Sequence, residues 1–111
     1  MEHAVIALSA LAQDTRLAVF RALVEAGPAG LRPGEIATGL ALPNATLSFH
    51  LGQLRRAGLV AAQRDGRTIV YSADYRRMNE LIDFLTANCC GGEISCVEPA
   101  AALRRAAGRA S

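Results

Sequence analysis

"LPNATLSFHLGQLRRAGLV" (42–60) and the run that follows it, "RDGRTIVYSA" (64–73), decide the fold. In the first, Leu47, Leu51 and Leu54 recur at i, i+4 and i+7, the spacing of one face of an amphipathic helix. Asn44 is placed to cap the start of that helix, and Gly58 to end it. Then the period drops from 3.6 to 2. "VAAQR" (60–64) and "RTIVYSA" (67–73) flank Asp65-Gly66, a pair that favours a tight type I′ hairpin. A helix delivered straight into a hairpin is half of a helix-turn-helix with a β-wing.

The flanking segments supply the other half. "PGEIATGLAL" (33–42) reads as a short helix with Pro33 in its first turn and Ile36, Ala37 and Leu40 in one stripe. Before it, "TRLAVFRALVEA" (15–26) is a helix with Asp14 as N-cap, an apolar stripe of Leu17, Phe20, Leu23 and Val24, and "GPAG" (27–30) as its stop. "HAVIALSALA" (3–12) is apolar on nearly every face, as expected of a helix packed on two sides. After the wing, Asp74 caps a last helix, "YRRMNELIDFLTAN" (75–88), with Met78, Leu81, Ile82 and Leu85 in its stripe. The expected architecture is mainly α with one β-hairpin: a winged helix-turn-helix and inducer site over 1–97. The tail, 98–111, is either a short helix started by Pro99 or frayed.

Composition narrows the partners. The chain has 111 residues, 51% of them hydrophobic, enough for one modest core that dimerisation would help. No apolar run approaches the ~18–20 residues of a membrane span. The N-terminal stretch lacks a basic region and carries Glu2 and Asp14, which argues against a signal peptide. A cytoplasmic protein with reduced thiols is expected, and three cysteines, an odd count, argue against a disulfide scaffold. All twelve positive charges are arginine. Arg55, Arg56, Arg64, Arg67, Arg76 and Arg77 crowd the segment 43–77 against Asp65 and Asp74 alone. Guanidinium forks suit phosphate oxygens and guanine edges; the plainer alternative is a solvated surface.

With the three leucines inward, the outward face of 44–57 carries Asn44, Ala45, Ser48, Phe49 and Gly52, with Thr46 in the same first turn. That end is the one a recognition helix inserts into the major groove. Asn44 can bond an adenine edge or a phosphate, Ser48 can serve either, and Phe49 can meet a thymine methyl. The alternative for Phe49 is packing under the wing. His50 reads as a satisfied, partly buried histidine. Arg64 and Arg67 at the hairpin tip, with Arg55 and Arg56, would supply the salt-dependent phosphate contacts.

Every cysteine falls in "NCCGGEISC" (88–96): Cys89, Cys90 and Cys96. Adjacent helical residues point about 100° apart, so Cys89 and Cys90 converge only if the helix stops near Asn88 and Gly91-Gly92. Three thiolates without a nearby histidine favour a soft, three-coordinate guest such as As(III) or Sb(III). Zn²⁺ would need a fourth ligand from Glu93, His3 or water. Cd²⁺ or Pb²⁺, a methylated arsenical held by Cys89 and Cys90 alone, and functionless thiols remain open. A cysteine-based arsenate reductase or phosphatase requires Arg six residues after its nucleophile. Those positions here are Ser95 and Cys96, so no enzyme is expected.

The run 42–73, with "ALSALAQDTRLAVFRAL" (7–23), resembles the ArsR/SmtB family of metal-responsive bacterial repressors. The family's pattern is a Ser/Thr-rich recognition helix ending in "HL..L..AGLV", then "R.G....Y". The match covers roughly residues 5–87. The resemblance implies a winged-helix homodimer, paired through its first and last helices, that sits on double-stranded promoter DNA and is released by an inducer. The family's Cys-x-Cys arsenic site on the short helix is missing from "GEIATGLAL". Its His-containing zinc or nickel site is missing from "DYRRMNELIDFLTAN", and its persulfide-sensing cysteine from 14–26. Some arsenite-responsive members carry a C-terminal Cys-Cys plus a third cysteine, which makes Cys89, Cys90 and Cys96 the implied inducer ligands.

Overall fold

Among the described residues, five helices and one hairpin follow in the order α1 (Glu2–Leu11), α2 (Asp14–Ala26), α3 (Pro33–Leu40), α4 (Asn44–Arg56), β1 (Val60–Asp65), β2 (Thr68–Ala73) and α5 (Tyr75–Thr86). A short 3-10 turn, Cys89–Gly92, comes after them. This is the winged helix-turn-helix that the periodicities specify. The computed structural model describes residues 1–92, so the tail 98–111 lies outside the described residues. The described residues divide into two units, Met1–Leu81 and the residues from Ile82 onward.

The core of the first unit gathers one stripe from each helix. Val19, Phe20 and Leu23 of α2 meet Ile36 and Ala37 of α3 and Leu47, Leu51 and Leu54 of α4; Leu59, Val60 and Ala73 close it from the wing. On α1 the buried residues are Ala4, Ala7 and Ala10, while Val5, Ile6 and Leu8 point outward. Small residues on the inner face let α1 lie close, and the large apolar ones are left on the surface.

One stripe differs from its expectation. Leu17 is 44% exposed, and Val19 is fully buried in its place. At 100° per residue, 19, 20 and 23 cluster on one side of α2, and 17 falls nearly opposite Val19. On α5 the expected stripe divides as well. Met78 and Leu81 pack half-buried against the core of the first unit. In the second unit Ile82 and Leu85 are exposed, with Phe84.

The helix ends follow local hydrogen bonding. Asp74 caps α5 as expected: the Arg77 backbone N–H donates to its Oδ1 at 3.1 Å. For α2 the cap is Gln13, whose Oε1 accepts from the Arg16 backbone N–H at 2.7 Å, so Asp14 is the first helical residue rather than the cap. Its carboxylate still favours the positive helix end. For α4 the cap position is Pro43, and Asn44 opens the helix. Pro43 has no N–H to lose and presets an extended entry, which leaves the Asn44 amide available for a ligand. The short helix α3 stops at Leu40, two residues earlier than expected, because Ala41 turns left-handed (φ 54°) and the Leu42 N–H returns to the Ala37 carbonyl.

The wing pairs Val60 with Ala73 through Asp65 with Thr68, which leaves Gly66 and Arg67 as the two loop residues. Only Gly66 has positive φ, +64°. A type I′ turn needs positive φ at both loop positions, whereas type II′ needs it at the first. The turn is therefore shifted one residue from the Asp65-Gly66 expectation and is of the II′ pattern. Asp65 stays in the strand, where its carbonyl accepts from Thr68 Oγ1 at 2.9 Å.

The root of the wing is clasped to the α2–α3 connection. Leu31 and Tyr71 exchange two backbone hydrogen bonds of 2.8 Å each. Gly30 precedes this clasp at φ +73°, and a Cβ there would lie 2.3 Å from the Tyr71 carbonyl oxygen. Only glycine fits both the conformation and the approach. Beyond β2, the Tyr75 hydroxyl donates to the Val24 carbonyl at 2.9 Å, satisfying one of the terminal carbonyls of α2.

Candidate nucleic-acid interface

Helix α4 presents two faces of opposite character. Leu47, His50, Leu51 and Leu54 are buried; Asn44, Ala45, Thr46, Ser48 and Phe49 are exposed. The outward face expected of 44–49 is therefore where the structure puts it, at the N-terminal end of the helix. Gly52 is half-buried rather than outward. Arg55 and Arg56 are exposed in the last turn of α4, and Arg64 and Arg67 on β1 and the hairpin loop. None of these four arginines is engaged by a carboxylate among the described residues, where the ion pairs are Arg21–Glu25, Arg32–Asp65 and Arg76–Glu80. The arrangement offers hydrogen-bonding side chains along one helix end and unpaired guanidinium groups beside it. That is the division of labour between base-edge and phosphate contacts in a DNA reader.

Phe49 is 57% exposed. Its ring meets His50 edge-to-face, with centroids 5.4 Å apart, and the Arg16 guanidinium lies 6.0 Å from its centroid. His50 is 7% exposed and accepts a long hydrogen bond, 3.4 Å, at Nδ1 from Arg16 Nε. An imidazole that accepts at Nδ1 must be neutral there. Burial holds its pKa below the ordinary histidine value, and the Arg16 charge adds to that.

Two residues of this region were not singled out from the sequence, Arg16 and Arg32. Arg32 Nη2 bonds Asp65 Oδ2 at 2.8 Å, its Nε donates to Thr68 Oγ1 at 3.3 Å, and its backbone N–H donates to Glu35 Oε1 at 2.9 Å. One residue thus starts α3 and holds the wing. No periodicity marks a contact made between a helix cap and a hairpin 33 positions later. Arg16 carried a signal: it opens the series 16, 19, 20, 23, a charge in a core-facing stripe.

Of the thiol cluster, the structure describes the beginning. Helix α5 ends at Thr86, Asn88 turns left-handed (φ 56°), and Cys89 and Cys90 enter the 3-10 turn, with Cys89 half-buried. The α-helix therefore ends before the two cysteines, as expected. Cys96, and with it the three-thiol convergence, lies outside the described residues. No helix among them is long and apolar enough to cross a membrane.

Comparison with known proteins places this arrangement among transcription regulators. A helix-turn-helix domain model matches residues 11–62. The chain is 32% identical over 87 residues to the transcriptional activator HlyU of Vibrio cholerae, covering 78% of each chain. The solved HlyU structure superposes with a TM-score of 0.64 at 31% identity, over 80% of this chain and 94% of that one. The HTH-type transcriptional regulator CmtR of Mycobacterium tuberculosis is 34% identical over 105 residues, covering 91% of this chain and 81% of CmtR. A solved structure described as a possible transcriptional regulator for arsenical resistance superposes with a TM-score of 0.62 at 25% identity, over 72% of this chain and 80% of that one.

Proposed function

Because the chain belongs to the ArsR/SmtB family of winged helix-turn-helix transcriptional regulators, we propose that it is an arsenic(III)-responsive repressor. It occupies promoter DNA as a homodimer and is released when trivalent arsenic or antimony binds the thiolates of Cys89, Cys90 and Cys96. The observation that carries the inducer is that all three cysteines fall within eight residues directly beyond α5. Three thiolates neutralise a trivalent soft centre and need no fourth ligand, whereas zinc prefers four. The neighbour described as a possible regulator of arsenical resistance supports that inducer class.

DNA contact is assigned to Asn44, Ala45, Thr46, Ser48 and Phe49 on α4, with Arg55, Arg64 and Arg67 on phosphates. The outward Val5, Ile6 and Leu8 of α1 support pairing with a second copy. A dimer would set its two recognition helices about one DNA turn, ~34–36 Å, apart on an imperfect palindrome. Inducer binding that shifts the dimer helices unseats both at once, and a coupling of ~1–3 kcal/mol would weaken DNA binding ~5–150-fold. Since HlyU is named an activator, an activating role is the second reading. Transcription from the bound promoter in the presence and absence of arsenite separates the two.

The test is titration of the reduced protein with arsenite, read by thiolate absorbance and by fluorescence anisotropy of promoter DNA. Release should track thiol occupancy. Cys89→Ser and Cys90→Ser should keep DNA affinity and lose release. Wild-type release in these variants, or full affinity with the sulfurs occupied, would overturn the inducer assignment. Stoichiometric zinc in protein purified without arsenic would favour a structural metal.

A further inference from the structure

Arg16 stands where the helical period of α2 calls for an apolar residue. Positions 16, 19, 20 and 23 recur at i, i+3, i+4 and i+7, and Val19, Phe20 and Leu23 are buried. A charge in such a stripe is tolerated when its stem stays in the core and its head escapes. Here the head escapes along α4. Nε donates to Nδ1 of His50, and the guanidinium carbon lies 6.0 Å from the ring centroid of Phe49. The three side chains form one cluster: buried imidazole, half-buried arginine, and exposed phenyl ring on the outward face.

This cluster uses only part of what the arginine offers. Its Nη atoms have no hydrogen-bond partner among the described residues, and no carboxylate there pairs with it. No buried side-chain nitrogen or oxygen among the described residues lacks a partner, so these donors reach solvent. A guanidinium anchored through Nε keeps its two terminal nitrogens as a fork, the geometry that grips a phosphate with two parallel hydrogen bonds.

We propose that Arg16 is a DNA-backbone contact outside the helix-turn-helix, offering its Nη fork to a phosphate beside the base that Phe49 meets. His50 acts as the positioning residue that holds the fork there. The proposal rests on the reading of α4 as the DNA-contacting helix. It adds a contact from α2, so the recognition helix and the helix behind it grip one strand together.

A phosphate contact is independent of sequence, so a mixed-sequence duplex of about three helical turns is a sufficient probe. Affinity of the full-length protein is measured by anisotropy across a salt series, with folding checked by circular dichroism. Replacing Arg16 by Gln should make log K against log[salt] shallower by about 0.9 for each subunit engaged. Where Arg16→Gln does not fold, Arg16→Met keeps the apolar stem and reads the same loss. His50→Asn retains an acceptor for Nε and should keep the wild-type slope; His50→Leu should reproduce the slope of Arg16→Gln. A slope unchanged in Arg16→Gln or Arg16→Met, with only thermal stability lowered, overturns the contact and leaves a packing role. A slope equally reduced in His50→Asn and His50→Leu overturns the positioning role. A wild-type chain with no affinity for any duplex sinks the DNA reading itself, and this proposal with it.

Discussion

Arg32 and Asp65, 33 residues apart, face each other at 2.8 Å between the N-cap of α3 and the wing. Asp65 would otherwise set a negative charge between Arg64 and Arg67, the two wing arginines proposed above for the DNA backbone. Both partners are at least half exposed, so the pair contributes little to folding, roughly 0–1 kcal/mol. Its effect lies in charge placement at the wing.

Arg32→Gln should therefore weaken DNA affinity by about 1.5- to 5-fold, the equivalent of roughly 0.2–1 kcal/mol. The double variant Arg32→Gln, Asp65→Asn should recover it, because the charge that Arg32 offset is gone. Anisotropy titration of both variants measures this. A double variant no better than the single one would show that Arg32 acts by bracing the wing instead.

Combining Ser48→Ala with Arg67→Ala removes one hydrogen-bonding group from the outward face of α4 and one charge from the wing. DNA binding should fall while the helical circular-dichroism signal persists, since neither residue is buried. An unchanged footprint would count against both roles.

Gly30→Ala should destabilise the fold by about 1–3 kcal/mol through its positive φ, and by more where the Tyr71 carbonyl must move. A shift in urea midpoint tests this. An unshifted midpoint would mean that the clasp between Leu31 and Tyr71 yields easily.

His50 gives stability a pH dependence. Its pKa is lowered in the fold, chiefly by burial, so the unfolded chain binds more protons as pH drops through the ordinary histidine range. The stability contributed by neutral His50 is whole above about pH 6.5. It is lost as pH falls through the depressed value of the folded state. Urea midpoints should decline from pH 7.5 to pH 5.5, and less steeply in His50→Asn. Equal slopes in the two proteins would remove His50 as the cause.

Leu54 is fully buried at the C-terminal end of the α4 stripe. Leu54→Ala should cost about 2–5 kcal/mol, enough to threaten a domain of this size. Thermal denaturation checks it, and a loss below ~1 kcal/mol would mean that the site collapses around the smaller side chain.

Where burial and local hydrogen bonding agree, the amino-acid order was sufficient to read the fold. Leu47, Leu51 and Leu54 turned inward as their spacing requires, Asp74 capped α5, and the hairpin formed beside Asp65-Gly66. The differences at the element ends share a cause. At Gln13 and Asp14, at Pro43 and Asn44, and at the hairpin turn, two adjacent residues could each fill one role. The choice fell to the hydrogen bonds each residue makes: the Arg16 backbone N–H three positions on at the first, and Thr68 with the distant Arg32 around Asp65 at the last. Leu17 has the hydrophobicity of a core residue, but its angle on α2 sets it outside the buried side. The Arg32–Asp65 and Arg16–His50 contacts join residues more than thirty positions apart, and period counting has no access to such pairs.

The clasp between Leu31 and Tyr71 makes the two connections of this domain unequal in what lengthening they tolerate. Extra residues at Gly66-Arg67 would extend a solvent-facing tip and leave the paired register behind it intact. Extra residues between Gly27 and Leu31 would pull the strand partner out of line and swing the whole hairpin. Relatives that have acquired a longer arm should therefore carry the addition at the tip, with the stretch from 27 to 31 kept at constant length.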